Sequence, residues 1–183
     1  FTFLLFQACN RKAAADFNSD FSLFKEHITN FSGGIVSAHS DIRVVLAVDK
    51  KEWKANQVLD SDLFDISPSV DGKVIALSNN TLAFVPEEKL EQNTEYQVTL
   101  HLDQLMEVKE ELKDFNFTLK TIRQDFMVET LDIQSYSPGY QYLNGVLKTA
   151  DKIDFETAQK LVSAQQKDQS VKVKFFKAPA MGT

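Results

Sequence analysis

Asp60, Asp62 and Asp65 form the one carboxylate group dense enough to attract a metal ion. A calcium loop needs oxygen ligands at alternate positions, a glycine to turn the chain and a closing glutamate. Phe64 stands at the third ligand position and Asp65 where the glycine belongs, so the residues read as a solvated acidic loop. His39-Ser40-Asp41 holds the residue types of a hydrolytic triad. In a triad the base must sit between nucleophile and acid, and neighbours on an extended segment point to opposite faces, so this reads as a turn entering a strand. Glu87-Glu88 and Glu110-Glu111 could pair for acid–base work, but each pair flanks a lysine, Lys89 or Lys109, in a polar loop. They read as solvated surface. The six glycines are scattered without the spacing that cradles a phosphate. His27, His39 and His101 lie far apart, and with the single cysteine they do not make a zinc set. No catalytic residue, metal ligand or cofactor site is expected, and no enzyme.

The chain of 183 residues can fold as one large domain or two small ones, and 43% hydrophobic with 25% charged residues is ordinary for a globular protein. Fifteen Phe against one Trp suit strands with aromatic core positions. A net charge of -6 works against nucleic acid as a partner, because phosphate binding relies on clustered Lys and Arg.

The chain opens Phe-Thr-Phe-Leu-Leu-Phe-Gln-Ala before Cys9, an apolar run shorter than the roughly 20 residues that span a bilayer. An apolar stretch closing on a small residue is the secretory pattern. Cys9 directly after Ala8 resembles the bacterial lipobox, whose cysteine is lipidated and becomes the new N-terminus. The expectation is a signal-peptide remnant over 1–8 and a possible lipid on Cys9; the plainer alternative makes Cys9 a small apolar residue at a core edge. Residues 9–33 read as a tether or docking segment. Within it Phe17, Phe21, Phe24, Ile28 and Phe31 recur at helical spacing, which suits a helix or irregular segment docked on the first sandwich or, alternatively, a helix lying on a membrane surface.

From Gly34 the period changes to two. Runs at 35–38, 41–48, 64–67, 73–77, 82–85, 95–102 and 115–121 are expected strands, about the number of a small sandwich. Asp71-Gly72 and Asn79-Asn80 are read as tight turns with positive φ. Leu90 with Tyr96 resembles the tyrosine corner of immunoglobulin-like sandwiches. An Ig-like β-sandwich is therefore expected over 34–123. Beyond it, strands at 126–133, 142–147 and 171–176, with a helix in 154–166 and a turn at Pro138-Gly139, form a second domain over 124–177. Three strands do not close a sandwich, so this domain is read as incomplete and 178–183 as a tail.

The order of segments is similar to the N-terminal part of bacterial, Bacteroidetes-type alpha-2-macroglobulin lipoproteins. It rests on Ser37-Ala-His-Ser-Asp-Ile-Arg-Val-Val-Leu, Phe64-Asp-Ile-Ser-Pro-Ser-Val-Asp-Gly-Lys, Asn80-Thr-Leu-Ala-Phe-Val-Pro and Asn93-Thr-Glu-Tyr-Gln-Val-Thr-Leu. These are followed by Phe117-Thr-Leu-Lys-Thr-Ile-Arg-Gln-Asp-Phe, Leu143-Asn-Gly-Val-Leu-Lys-Thr-Ala-Asp and Lys160-Leu-Val-Ser-Ala-Gln-Gln. The resemblance implies tandem β-sandwiches, the second macroglobulin-like, at the base of a cell-envelope trap for proteases. Its implied partners are downstream macroglobulin domains of the same chain, target proteases through the full-length protein, and a bacterial membrane through a lipid on Cys9. The Cys-x-Glu-Gln thioester motif does not occur in this sequence. An Ig-like surface lipoprotein for adhesion or glycan binding is the alternative.

Overall fold

The computed structural model describes residues 17–176 and divides into two compact units that meet at Thr121 and Ile122. Cys9, the segment 1–8 and the tail 178–183 lie outside the described residues.

In the first unit a helical turn, α1 (Phe21–Phe24), precedes nine strands. In chain order these are β1 (Ile28–Phe31), β2 (Gly34–Val36), β3 (Ile42–Leu46), β4 (Gln57–Val58), β5 (Phe64–Ser67), β6 (Gly72–Ala76), β7 (Thr81–Pro86), β8 (Glu95–His101) and β9 (Asp114–Thr121). They form two sheets, ordered β1-β3-β7-β6-β4 and β2-β9-β8-β5. Among the described residues only β2 and β9 pair in parallel. Strands β3, β6, β8 and β9 alternate, so one face of each sheet turns inward, while central β7 also buries Ala83. Ile42, Val44 and Leu46 of β3 and Leu82 and Phe84 of β7 meet Tyr96, Val98 and Leu100 of β8 and Phe115, Phe117 and Leu119 of β9 in one apolar core. The protein is all-β, and this unit is a closed sandwich.

The tyrosine corner is present. Tyr96 and Leu90 are buried, and the Glu91 amide donates to the Tyr96 hydroxyl at 2.9 Å. Buried Thr121 completes it, its hydroxyl donating to the Glu91 carbonyl at 2.6 Å and accepting from the Thr94 amide at 2.9 Å. Asn93 turns the chain into β8 with φ 53°, a conformation that asparagine tolerates.

Three local expectations change. The helical spacing through Phe31 yields one helical turn, capped by the Asp20 carboxylate accepting from the Ser22 amide at 2.9 Å; Ile28–Phe31 then pairs with β3 as a strand. The phenylalanine spacing serves another purpose: Phe21, Phe24 and Phe31 gather around Phe115, with ring centroids 5.0–6.2 Å away. Backbone pairing at β1 thus overrides the helical period. Asp71-Gly72 and Asn79-Asn80 do not take positive φ. Glycine is required at 72 for approach, because a Cβ there would lie 2.4 Å from the Phe84 ring and 2.6 Å from the Val85 carbonyl. Finally, strand β4 is an addition that two residues of sequence give no period to reveal.

The second unit contains β10 (Phe126–Ser137), β11 (Tyr140–Thr149), the helix α2 (Phe155–Leu161), β12 (Ala164–Gln166) and β13 (Gln169–Val171). β10 and β11 form a long hairpin turned at Gly139, whose φ of 86° suits glycine. Gln124 clasps its base, accepting from the Asp151 amide at 2.9 Å and donating to the Asp151 carbonyl at 3.1 Å. The hairpin exceeds the expected strands, because polar Gln134, Ser135 and Gln141 hide its distal half in the sequence. The expected strand at 171–176 is replaced by the short β12–β13 hairpin, where only Val171 of that run is paired. The helix also stops earlier than expected, at Leu161. Among the described residues this unit has no second sheet layered on β10–β11.

Candidate functional site

The densest contact of titratable groups lies on the outward face of the β2-β9-β8-β5 sheet. His101, Asp65 and Asp114 are each at an outward position of neighbouring strands, β8, β5 and β9. Asp114 lies directly opposite His101, whereas Asp65 is opposite Thr99 and so diagonal to it. The ring meets Asp114 at 2.7 Å through Nδ1 and Asp65 at 3.1 Å through Nε2. Partial burial pulls the imidazole pKa down, but hydrogen bonding by Asp114 and Asp65, with their charge, outweighs it and the pKa is raised. The carboxylates sit on opposite edges of the ring, so they cannot share one cation with it. Beside them Thr99 donates to the Asn116 side chain at 2.7 Å.

The groups singled out in the sequence are used structurally. Asp60 caps the 3₁₀ turn Ser61–Leu63, accepting from the Asp62 amide at 3.1 Å, and Asp65 is drawn to His101. Asp41 pairs with Arg43 at 2.8 Å, and the Ser40 amide bonds the Ser37 carbonyl at 3.0 Å. His39, Ser40 and Asp41 do share a cleft of about 130 Å³ with Glu87, Glu88 and Lys89, a juxtaposition of two loops that the sequence does not announce. With Asp41 held by Arg43, the cleft offers no base positioned between an acid and a nucleophile. Glu110 pairs with Lys113 at 2.7 Å and raises the lysine pKa. Among the described residues no group of three His, Cys, Asp or Glu is arranged to hold a metal ion. No described helix is long and apolar enough to cross a membrane.

The second feature is a surface. Cross-strand partners in the β10–β11 hairpin share a face, so the register divides its side chains. One face carries Phe126, Val128, Ile133, Leu143 and Leu147; the other carries Met127, Glu129, Tyr142, Val146 and Lys148, with Glu129 and Lys148 ion-paired. Thr130, Ser135, Gln141 and Thr149 share the first face with these apolar residues, and Ile133 and Leu143 on it are 65% and 63% exposed. At the hairpin tip, Ser135, Ser137, Tyr140, Gln141 and Gln166 border an open concavity of about 840 Å³.

No family model and no curated protein matches the chain. Among solved structures it is similar to L,D-transpeptidase 3 from Mycobacterium tuberculosis in complex with a faropenem-derived adduct, at 13% identity and a TM-score of 0.37, covering 58% of this chain and 41% of that one. An L,D-transpeptidase from Mycobacterium tuberculosis H37Rv is similar at 11% identity and a TM-score of 0.37, with 57% and 42% covered. The chain thus spans about two fifths of the length of these proteins. Likeness at this level has no bearing on what the chain does.

Proposed function

We propose that the chain is the non-catalytic N-terminal structural and anchoring region of a cell-envelope alpha-2-macroglobulin-like protease inhibitor. The observation that carries this reading is the row of exposed apolar side chains, Phe126, Val128, Ile133 and Leu143, on one face of β10–β11, next in the chain to a sealed sandwich. An isolated hairpin is marginal in water, and a hydrophobic strand face needs another layer or further strands. Downstream macroglobulin domains of the same chain supply that layer, as the motif order implies. Cys9 carries the lipid that holds the assembly at a bacterial membrane, and protease trapping belongs to the full-length protein. The test reads the open reading frame past Thr183 and assays its full product against unrelated endopeptidases. Further macroglobulin-type sandwiches with a bait-like segment, and inhibition of several endopeptidases, are expected; a stop codon soon after Thr183 overturns the reading.

Tyr140 and Tyr142 favour a second reading, an Ig-like adhesion or glycan-binding lipoprotein. They lie two residues apart on β11 and are 69% and 52% exposed, as a sugar-stacking row would be. Specific glycan-array binding that is lost in Tyr142→Ala would select it.

A further inference from the structure

We propose that His101 is a proton-operated clamp that ties the edge strand β5 to β9 across β8, gripping in its imidazolium form and relaxing when the ring is neutral. A neutral imidazole has one N–H and one bare nitrogen, whereas the imidazolium donates from both. Here each ring nitrogen faces a carboxylate, Asp114 at Nδ1 and Asp65 at Nε2. Only the protonated ring satisfies both contacts. Loss of the proton leaves a nitrogen lone pair against a carboxylate oxygen, and one contact becomes repulsive.

Topology makes this contact consequential. In the order β2-β9-β8-β5, strand β5 pairs with β8 alone. It is four residues long, and its buried Phe64 reaches the shared core. The Asp65–His101 contact is a side-chain tie added to that short ladder. Asp114 holds the other side of the ring to β9 and fixes its orientation.

The carboxylates on the two flanking strands favour the charged ring. Asp65 comes from β5 and Asp114 from β9. Asp103 follows in the 3₁₀ turn Leu102–Gln104, and Lys113, just before β9, is held by Glu110 at 2.7 Å and interacts with Asp103 and Asp114. Because the folded pKa of His101 is raised, its stabilisation is fully present below the unfolded value and is lost as pH rises through the folded one.

The test is an NMR titration of His101 in the whole chain, with amide hydrogen exchange of Phe64–Ser67 measured across the same pH range. Exchange at β3 and β7 serves as the internal reference for intrinsic base catalysis. The expected result is a His101 midpoint above the ordinary imidazole value, with β5 protection falling relative to the reference as pH passes that midpoint. Asp65→Asn and Asp114→Asn alter exposed side chains; each should lower the midpoint, and Asp65→Asn should abolish the pH dependence of β5 protection. A midpoint at or below the ordinary value, or β5 protection that follows β3 and β7 at every pH, overturns the proposal.

Discussion

Leu100 of β8 and Leu143 of β11 are the same residue on the same kind of antiparallel strand, yet Leu100 is fully buried and Leu143 is 63% exposed. Both sit in antiparallel ladders, though that of Leu143 is broken by register shifts and that of Leu100 is not. What separates them is the second layer: Leu100 meets the β1-β3-β7-β6-β4 sheet in a common core, whereas no sheet is layered on the Leu143 face among the described residues. A strand's period therefore determines which face is apolar, and the partner layer determines whether that face is dry. The first unit has both layers, whereas large apolar side chains on β10–β11 stay exposed in the second.

The comparison breaks most directly through matched truncations. Leu100→Ala removes a fully buried side chain and is expected to cost about 2–5 kcal/mol, mostly as transfer and cavity energy. Leu143→Ala removes an exposed one and should cost less than about 0.5 kcal/mol in the same chain. Urea unfolding followed by Trp53, the single tryptophan, which packs against the first unit's core, checks the first value; hairpin amide exchange checks the second. Equal costs would remove the distinction.

A smaller effect is expected at the tyrosine corner. Tyr96→Phe strands the Glu91 amide and should cost about 1–3 kcal/mol with the core unchanged. Thr121→Val tests the same turn from its other side, because it removes the acceptor of the Thr94 amide and the donor to Glu91. A chain unaffected by both substitutions would mean that the corner does not fasten this sandwich.

The smallest expected effect sharpens the contrast through pH. Asp154 caps α2, and hydrogen bonds from the Thr157 hydroxyl and amide lower its pKa. Its contribution is present above the unfolded carboxylate value and fades as pH falls through the lowered folded one. Acidification thus loosens the α2 cap in the second unit while it charges the His101 clamp in the first. The Thr157 amide shift should move with Asp154 titration, and Asp154→Ala should abolish that movement; an amide that ignores the titration contradicts the cap.

Much of this was legible where chemistry is local. Leu90 and Tyr96 revealed the corner because both signals sit within one turn and one strand, and β5 follows Phe64–Ser67 because the alternation is clean between turn residues. Strand β1 was hidden because its phenylalanines keep a helical spacing while converging on Phe115 across the fold. The His101 cluster was missed for another reason. Asp65, His101 and Asp114 are distant in sequence and become neighbours only through strand register. Pairing the expected strands and comparing their outward residues would have found it. Thr121 gave no signal of its role, since a threonine ending a strand is unexceptional until Glu91 and Thr94 fold over it.

The central claim is that the apolar face of β10–β11 is built to be covered by further β-structure of the same protein. Amide hydrogen exchange of Phe126–Thr149, compared between this chain and the product of its full open reading frame, tests it most directly. The account predicts strong added protection along β10 and β11 in the longer protein, with β3, β7, β8 and β9 unchanged. Equal exchange of the hairpin in both would contradict it.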